Sequence, residues 1–179
     1  NHKRSYYIIN GITMYRIIAA PFLLLLLYTG QYSIFKWLLL LSFFTDFIDG
    51  FLARKFKVSS VFGTRIDSIG DDLTVMAAMI GLIIIKPSFI TDHKMIFIII
   101  TVLFVIQTVY ALIRYGKISS FHTYLAKLAA ILQGVFLILV FFIKEPILFL
   151  FYAASLVTIL ELTEEIILVY LLPKWETNV

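Results

Sequence analysis

Five of the chain's six aspartates fall in one window of 27 residues, from Asp46 to Asp72. The window reads Thr45-Asp46-Phe47-Ile48-Asp49-Gly50-Phe51-Leu52-Ala53-Arg54, then eight residues, then Gly63-Thr64-Arg65-Ile66-Asp67-Ser68-Ile69-Gly70-Asp71-Asp72. Asp46 and Asp49 are spaced i,i+3, and Asp67 and Asp71 i,i+4, so on helices each pair shares a face. A hairpin of the two helices lets the acidic faces meet. Four carboxylates gathered at low dielectric repel one another and need cations to neutralise them. Hard oxygen donors in this number suit Mg²⁺ or Mn²⁺, with two ions the expected complement. The plainer alternative is that the aspartates cap helices and pair with Arg54, Lys55 and Arg65.

The elements that must carry these residues are membrane helices. The chain has 179 residues, 61% hydrophobic and only 15% charged, with a mean hydropathy of +1.00. A soluble domain runs roughly 45–50% apolar and about 25% charged, so a cytosolic or secreted globular protein is excluded. Cysteine is absent, which removes disulfides, cysteine–zinc sites and thiol catalysis. Six stretches reach the length and apolarity of a span, roughly 11–28, 33–53, 71–86, 95–113, 123–143 and 147–172. Backbone groups in lipid must be satisfied within the segment, so these are helices. The expected fold is an all-α six-helix integral membrane bundle, a single domain over residues 1–179.

A net charge of +4 matters here by position rather than by sum, and no nucleic-acid partner is expected. Lys3, Arg4, Arg54, Lys55, Lys57, Arg65, Arg114, Lys117 and Lys174 fall on the side of the two termini, with Lys127 one turn into the fifth span. Lys36, Lys86, Lys94 and Lys144 fall on the other. The positive-inside rule makes the first side cytoplasmic, with both termini there. The first apolar run is long and lacks a small-residue cleavage site, so no cleavable signal is expected. Asn1 is not an initiator methionine, and a few residues before it are expected to be missing or replaced.

Asp46, Asp49, Gly50, Ala53, Arg54, Gly63, Asp67 and Asp71 fit the pattern Asp-x2-Asp-Gly-x2-Ala-Arg-x8-Gly-x3-Asp-x3-Asp at all eight fixed positions. That pattern resembles the signature of the CDP-alcohol phosphatidyltransferases. Asn10, Thr13 and Arg16, followed by Pro21, resemble the start of the first helix in the phosphatidylglycerophosphate and phosphatidylserine synthase branches. The family is built on six transmembrane helices with its site at the cytoplasmic side. Its members move a substituted phosphate from a CDP-linked lipid to an alcohol and release CMP.

The resemblance implies two divalent ions, Mg²⁺ or Mn²⁺, against the donor's pyrophosphate, at the cytoplasmic end of the first three helices. Asp46 and Asp67 bridge both ions, Asp49 completes one and Asp71 the other, with Asp71 also the general base on the acceptor hydroxyl. Phosphoryl transfer depends mainly on positioning and charge neutralisation, which suits such a site. Gly50 lets a nucleotide approach the second helix closely, and Arg54 offers a planar fork to pyrophosphate oxygens. Ser60 and Gly63 are expected on the loop between the helices, holding the nucleotide together with Ala53. Asn10 and Thr13 match positions that contact the CDP-lipid; by themselves they would read as an N-terminal cap.

The expected donor is CDP-diacylglycerol, in a bacterial inner membrane with the site facing the cytoplasm. A phosphorylated acceptor needs its own cations, and Arg114, Lys117 and Lys127 lie on the expected side. Lys127 and Gln133 sit where phosphatidylglycerophosphate synthases tend to show Gly-Lys-x-Lys-Thr-x2-Gln, with Ala126, Ala129 and Ala130 replacing other fixed positions. Glycerol 3-phosphate is the first expected acceptor, then inositol phosphate, with serine, inositol and phosphatidylglycerol as alternatives. Those cations also satisfy the positive-inside rule unaided. Many relatives carry lysine where Asp72 stands, a position rotated about 100° from Asp71 on a helix. Asp72 could cap a helix, pair with Arg65 or alter acceptor choice. Glu161, Glu164 and Glu165 in the last span read best as structural pairing, and His122 as an interfacial group that could touch the acceptor. A homodimer is expected from the family. The rivals are a cation transporter or channel, which wants acids along a path near the midplane, and an inactive relative, which would have lost an aspartate.

Overall fold

A computed structural model describes residues 2–56, 61–118 and 121–176. The helices among them are α1 (His2–Tyr28), α2 (Tyr32–Phe56), α3 (Val61–Ile85), the short α4 (Pro87–Asp92), α5 (Lys94–Tyr115), α6 (Tyr124–Phe142) and α7 (Leu148–Leu171). No strand occurs among the described residues. Among the described residues, four helical stretches are long and apolar enough to cross a membrane: Asn10–Tyr28, Ile66–Ile85, Lys94–Tyr115 and Tyr124–Phe142. Helices α2 and α7 are 25 and 24 residues long but carry more charge, including Lys36, Asp46 and Asp49 in one and Glu161, Glu164 and Glu165 in the other.

The polar stretch 54–70 is not the long break that its hydropathy suggests. Helix α2 runs through it to Phe56, and α3 begins at Val61. Polarity ends a lipid-compatible run, but it does not end a helix, and no proline interrupts residues 61–85. Asp67 therefore lies within α3. Gly63 sits in the first turn of that helix rather than on a loop. Likewise α1 begins at His2, well before the expected apolar start, and continues through Pro21.

The chain packs as two compact units, Asn1–Pro87 and Ser88–Val179. In the first, α1 packs along both α2 and α3, while those two touch each other little. Ala19, Ala20, Leu23, Leu26 and Leu27 of α1 bury against Phe35 and Leu39 of α2 and Ala77, Ala78 and Leu82 of α3. Small side chains let the helix backbones approach, which is how helices associate where lipid removes the hydrophobic drive. At Gly70 a Cβ would lie only 3.7 Å from the Arg16 Cβ, so α1 and α3 run close together at the level of the aspartates. The chain reverses after α1 at Gly30, whose φ of 77° is a conformation that glycine takes without strain.

In the second unit α7 packs on both α5 and α6. Phe89, His93, Phe97, Phe136, Phe151 and Tyr152 form an aromatic cluster at one end. Ala111, Phe121 and Val169 form a buried core at another level. The Thr123 hydroxyl caps α6 by accepting from the Ala126 amide at 3.1 Å.

Candidate active site

Three helices contribute to the acidic cluster of the first unit, and α1 supplies its centre. Arg16 is only 1% exposed, and its guanidinium pairs with carboxylates from both flanking helices. Its Nη1 donates to Asp46 Oδ1 at 2.7 Å and to Asp71 Oδ1. Its Nη2 donates to Asp67 Oδ1 and, at 3.4 Å, to Asp49 Oδ2. One turn earlier on the same face, the Thr13 hydroxyl donates to Asp49 Oδ2 at 3.0 Å. The spacings seen in the sequence place Asp46 with Asp49 and Asp67 with Asp71, and Arg16 ties the pairs together.

The four carboxylates differ in access. Asp46, Asp67 and Asp71 are 41%, 39% and 43% exposed at the side chain, whereas Asp49 is 4% exposed. Carboxylate oxygens of Asp46, Asp67 and Asp71 lie within 4.8 Å of one another. Asp49 Oδ1 is buried and has no hydrogen-bond partner among the described residues. Three reachable hard oxygen donors above a fourth, with one donor-starved buried oxygen and carboxylates outnumbering the guanidinium four to one, fit divalent cations. Such a site can hold an anionic group, a pyrophosphate above all, against carboxylates that would otherwise repel it.

The sequence model of the CDP-alcohol phosphatidyltransferases matches residues 6–167. The chain belongs to that family. Its relatives include a CDP-diacylglycerol–glycerol-3-phosphate 3-phosphatidyltransferase of Sodalis glossinidius, 33% identical over 76 residues, which are 38% of this chain and 40% of the relative. Enzymes of the same name from Wigglesworthia glossinidia brevipalpis and Haemophilus influenzae are 35% and 36% identical, over 44% and 38% of this chain. The matched stretches span 43% and 39% of those two proteins. The chain thus matches about two fifths of the length of these curated relatives. Family membership and the apolar helices agree on an integral membrane protein, and Asp46, Asp67 and Asp71 are close enough together to hold a metal ion.

The other residues expected in the phosphatidyltransferase site are distributed as follows. Asn10 is partly buried on α1, three residues before Thr13 and so its neighbour on the helix surface. Gly50 is partly buried directly after Asp49. Ser60 and the side-chain surroundings of Ala53, Arg54 and Gly63 lie outside the described residues. Asp72 is partly buried and is not among the carboxylates gathered at Arg16, as its rotation on the helix requires.

Arg114, Lys117 and Lys127 lie in the second unit, each with a partner there. Arg114 Nε donates to the Leu172 carbonyl at 3.3 Å, which the Tyr115 hydroxyl also reaches at 2.8 Å. The Lys117 ammonium sits 5.2 Å above the Trp175 ring, and that of Lys127 5.2 Å above Tyr124. Gln133 donates to the Thr158 hydroxyl at 2.7 Å and so ties α6 to α7. Glu165 is buried on α7, with Glu161 and Glu164 partly buried; His122 is exposed.

The first-helix motif contains Arg16 but does not by itself assign it a role. The signal lies in the cost: an arginine inside an apolar span is as costly as the aspartates and needs counter-charges. Three residues from Thr13, it points to the same helical face.

Proposed function

We propose that this protein transfers the phosphatidyl group of CDP-diacylglycerol to the hydroxyl of a small alcohol, glycerol 3-phosphate first, and releases CMP. The observation that carries this reading is the convergence of Asp46, Asp49, Asp67 and Asp71 on Arg16 in a chain of the phosphatidyltransferase family. The acceptor follows the relatives, whose names specify glycerol 3-phosphate. The acceptor oxygen bonds to the phosphorus that carries the diacylglycerol. The bond from that phosphorus to the CMP oxygen breaks, and the acceptor proton passes to the Asp71 carboxylate.

Asp46 and Asp67 would serve as ligands common to two divalent cations, with Asp49 and Asp71 each serving one, and the bound metals would supply charge neutralisation for the pyrophosphate and the leaving CMP. Asn10, Thr13, Gly50, Ala53, Arg54, Ser60 and Gly63 bind the nucleotide and lipid phosphate. Thr13 also orients Asp49 by its hydrogen bond. The test is CMP release from CDP-diacylglycerol by purified protein with Mg²⁺ or Mn²⁺, across glycerol 3-phosphate, inositol phosphate, inositol, serine and phosphatidylglycerol. Glycerol 3-phosphate is expected to give the fastest release. A protein inert with every acceptor and both metals defeats the reading, and a preference for serine moves it to another branch.

Arg114, Lys117 and Lys127 bind the acceptor's phosphate. Accordingly, Arg114→Ala and Lys127→Ala should each raise the acceptor KM about tenfold, some 1.4 kcal/mol, with the KM for CDP-diacylglycerol nearly unchanged. Unaltered acceptor kinetics in both variants would discard this pocket.

The chain forms a single domain of six spans in the bacterial inner membrane, with both termini and the aspartates at the cytoplasmic face. The asymmetric lysine and arginine distribution supports that orientation. Since the chain lacks cysteine, single cysteines introduced at Lys117 and Lys36 report it directly. Labelling of both from the same side would refute it. A homodimer is proposed from the family, and a monomer by mass in lipid nanodiscs would count against it. Transport of a cation is not favoured, because the family is one of transferases.

A further inference from the structure

We propose that Arg16 is a built-in counter-cation that competes with divalent cations for the aspartate cluster, so that loading the site requires its guanidinium to leave the carboxylates. This rests on the metal reading given above and adds to it a residue that sets how tightly the metals bind.

The geometry leads to it directly. Arg16 spends both Nη atoms on one oxygen from each of four aspartates, Oδ1 of Asp46, Asp67 and Asp71 and Oδ2 of Asp49. A guanidinium has donors only and cannot share a cation's ligands by coordinating it. The three mutually close carboxylates that suit a metal are those of Asp46, Asp67 and Asp71, and Arg16 already holds all three. A divalent cation drawn to them meets a like charge at contact distance, on a guanidinium that is itself only 1% exposed.

The backbone does not offer an alternative home for the charge. α1 is packed on both sides, and the Gly70 position faces the Arg16 Cβ, so the residue must give way by side-chain rotation. In return, Arg16 makes the metal-free cluster tolerable: without it, four carboxylates from two helices converge with their main cation gone. The residue thus stabilises the unloaded protein and weakens its hold on metal.

The test is Mn²⁺ titration of the purified full chain, with free Mn²⁺ followed by electron paramagnetic resonance, for the wild type, Arg16→Gln, Arg16→Lys and Asp67→Asn. Melting in EDTA and in saturating Mn²⁺ accompanies it. Arg16→Gln should bind Mn²⁺ about tenfold tighter or more, a difference of about 1.4 kcal/mol, and melt lower than wild type in EDTA. Its gain in melting temperature on adding Mn²⁺ should exceed that of the wild type. Arg16→Lys keeps the charge but not the planar fork, so its Mn²⁺ affinity should fall between the two. Mn²⁺ binding unchanged or weakened in Arg16→Gln overturns the competition. If that variant does not fold, Arg16→Lys decides: tighter binding than wild type supports the inference, equal or weaker binding overturns it. A wild type that binds no Mn²⁺ beyond what Asp67→Asn binds overturns instead the metal reading on which this rests.

Discussion

Asp67→Asn is expected to abolish CMP release from CDP-diacylglycerol while the protein stays folded and membrane-inserted. Asp67 projects from α3 toward the same point as Asp46 from α2, and the two are the proposed ligands shared by both cations. An amide oxygen is a neutral and weaker donor, so the substitution removes charge from both cation positions at once. Loss of a shared ligand should therefore cost more than about a thousandfold in turnover, roughly 4 kcal/mol of barrier. The fold should survive because Arg16 keeps Asp46, Asp49 and Asp71 as partners, and relief of repulsion among the carboxylates offsets the lost pair. Asp46→Asn should behave alike. CMP release in detergent, beside a melting curve in EDTA, checks both halves. Turnover retained above a few per cent in either variant would defeat the shared-metal arrangement.

Much of this cluster was legible in the sequence because its spacings are local. Asp46 with Asp49 and Asp67 with Asp71 follow from helical periodicity alone, whatever the helices pack against. What joins the pairs is not local. A hairpin of the second and third helices was the natural expectation, yet those helices touch little and α1 lies along both. The bridging charge accordingly comes from Arg16, thirty residues before Asp46. Nothing in the acidic window specifies that partner; only the cost of a lone arginine in an apolar run points to it.

Element boundaries near the site were harder to read for a different reason. Hydropathy measures compatibility with lipid, whereas helix formation depends on the backbone. Thr64, Arg65, Asp67 and Ser68 lower the first strongly and oppose the second only weakly, so α3 begins at Val61 rather than near Asp71. That shift moves Gly63 from a loop into the first turn of a helix. The boundary between the two packing units was also hidden. It falls at Lys86-Pro87-Ser88, a short polar break that looks like Lys144-Glu145-Pro146, although the latter interrupts a single unit. Composition marks where helices end; it does not mark which helices pack together.

Asp71→Asn should separate chemistry from binding, in contrast to Asp67→Asn. Asp71 is the most exposed of the four carboxylates, at 43%, and its assigned work is to accept the acceptor's proton. Asparagine keeps the shape but cannot take a proton, so transfer should fall by roughly 10²–10⁴-fold, the usual span for a positioned general base. Binding of CDP-diacylglycerol should change little, because Asp46, Asp49 and Asp67 would still hold the cations and the asparagine keeps a neutral oxygen donor in place of the Asp71 carboxylate. Single-turnover CMP release and equilibrium binding of CDP-diacylglycerol in nanodiscs measure the two quantities independently. Asp71→Glu sharpens the comparison: it restores a proton acceptor one methylene out of place, so it should recover part of the transfer rate lost in Asp71→Asn. If binding and turnover fall together in Asp71→Asn, Asp71 acts as a metal ligand alone, and the acceptor's proton must leave by another route.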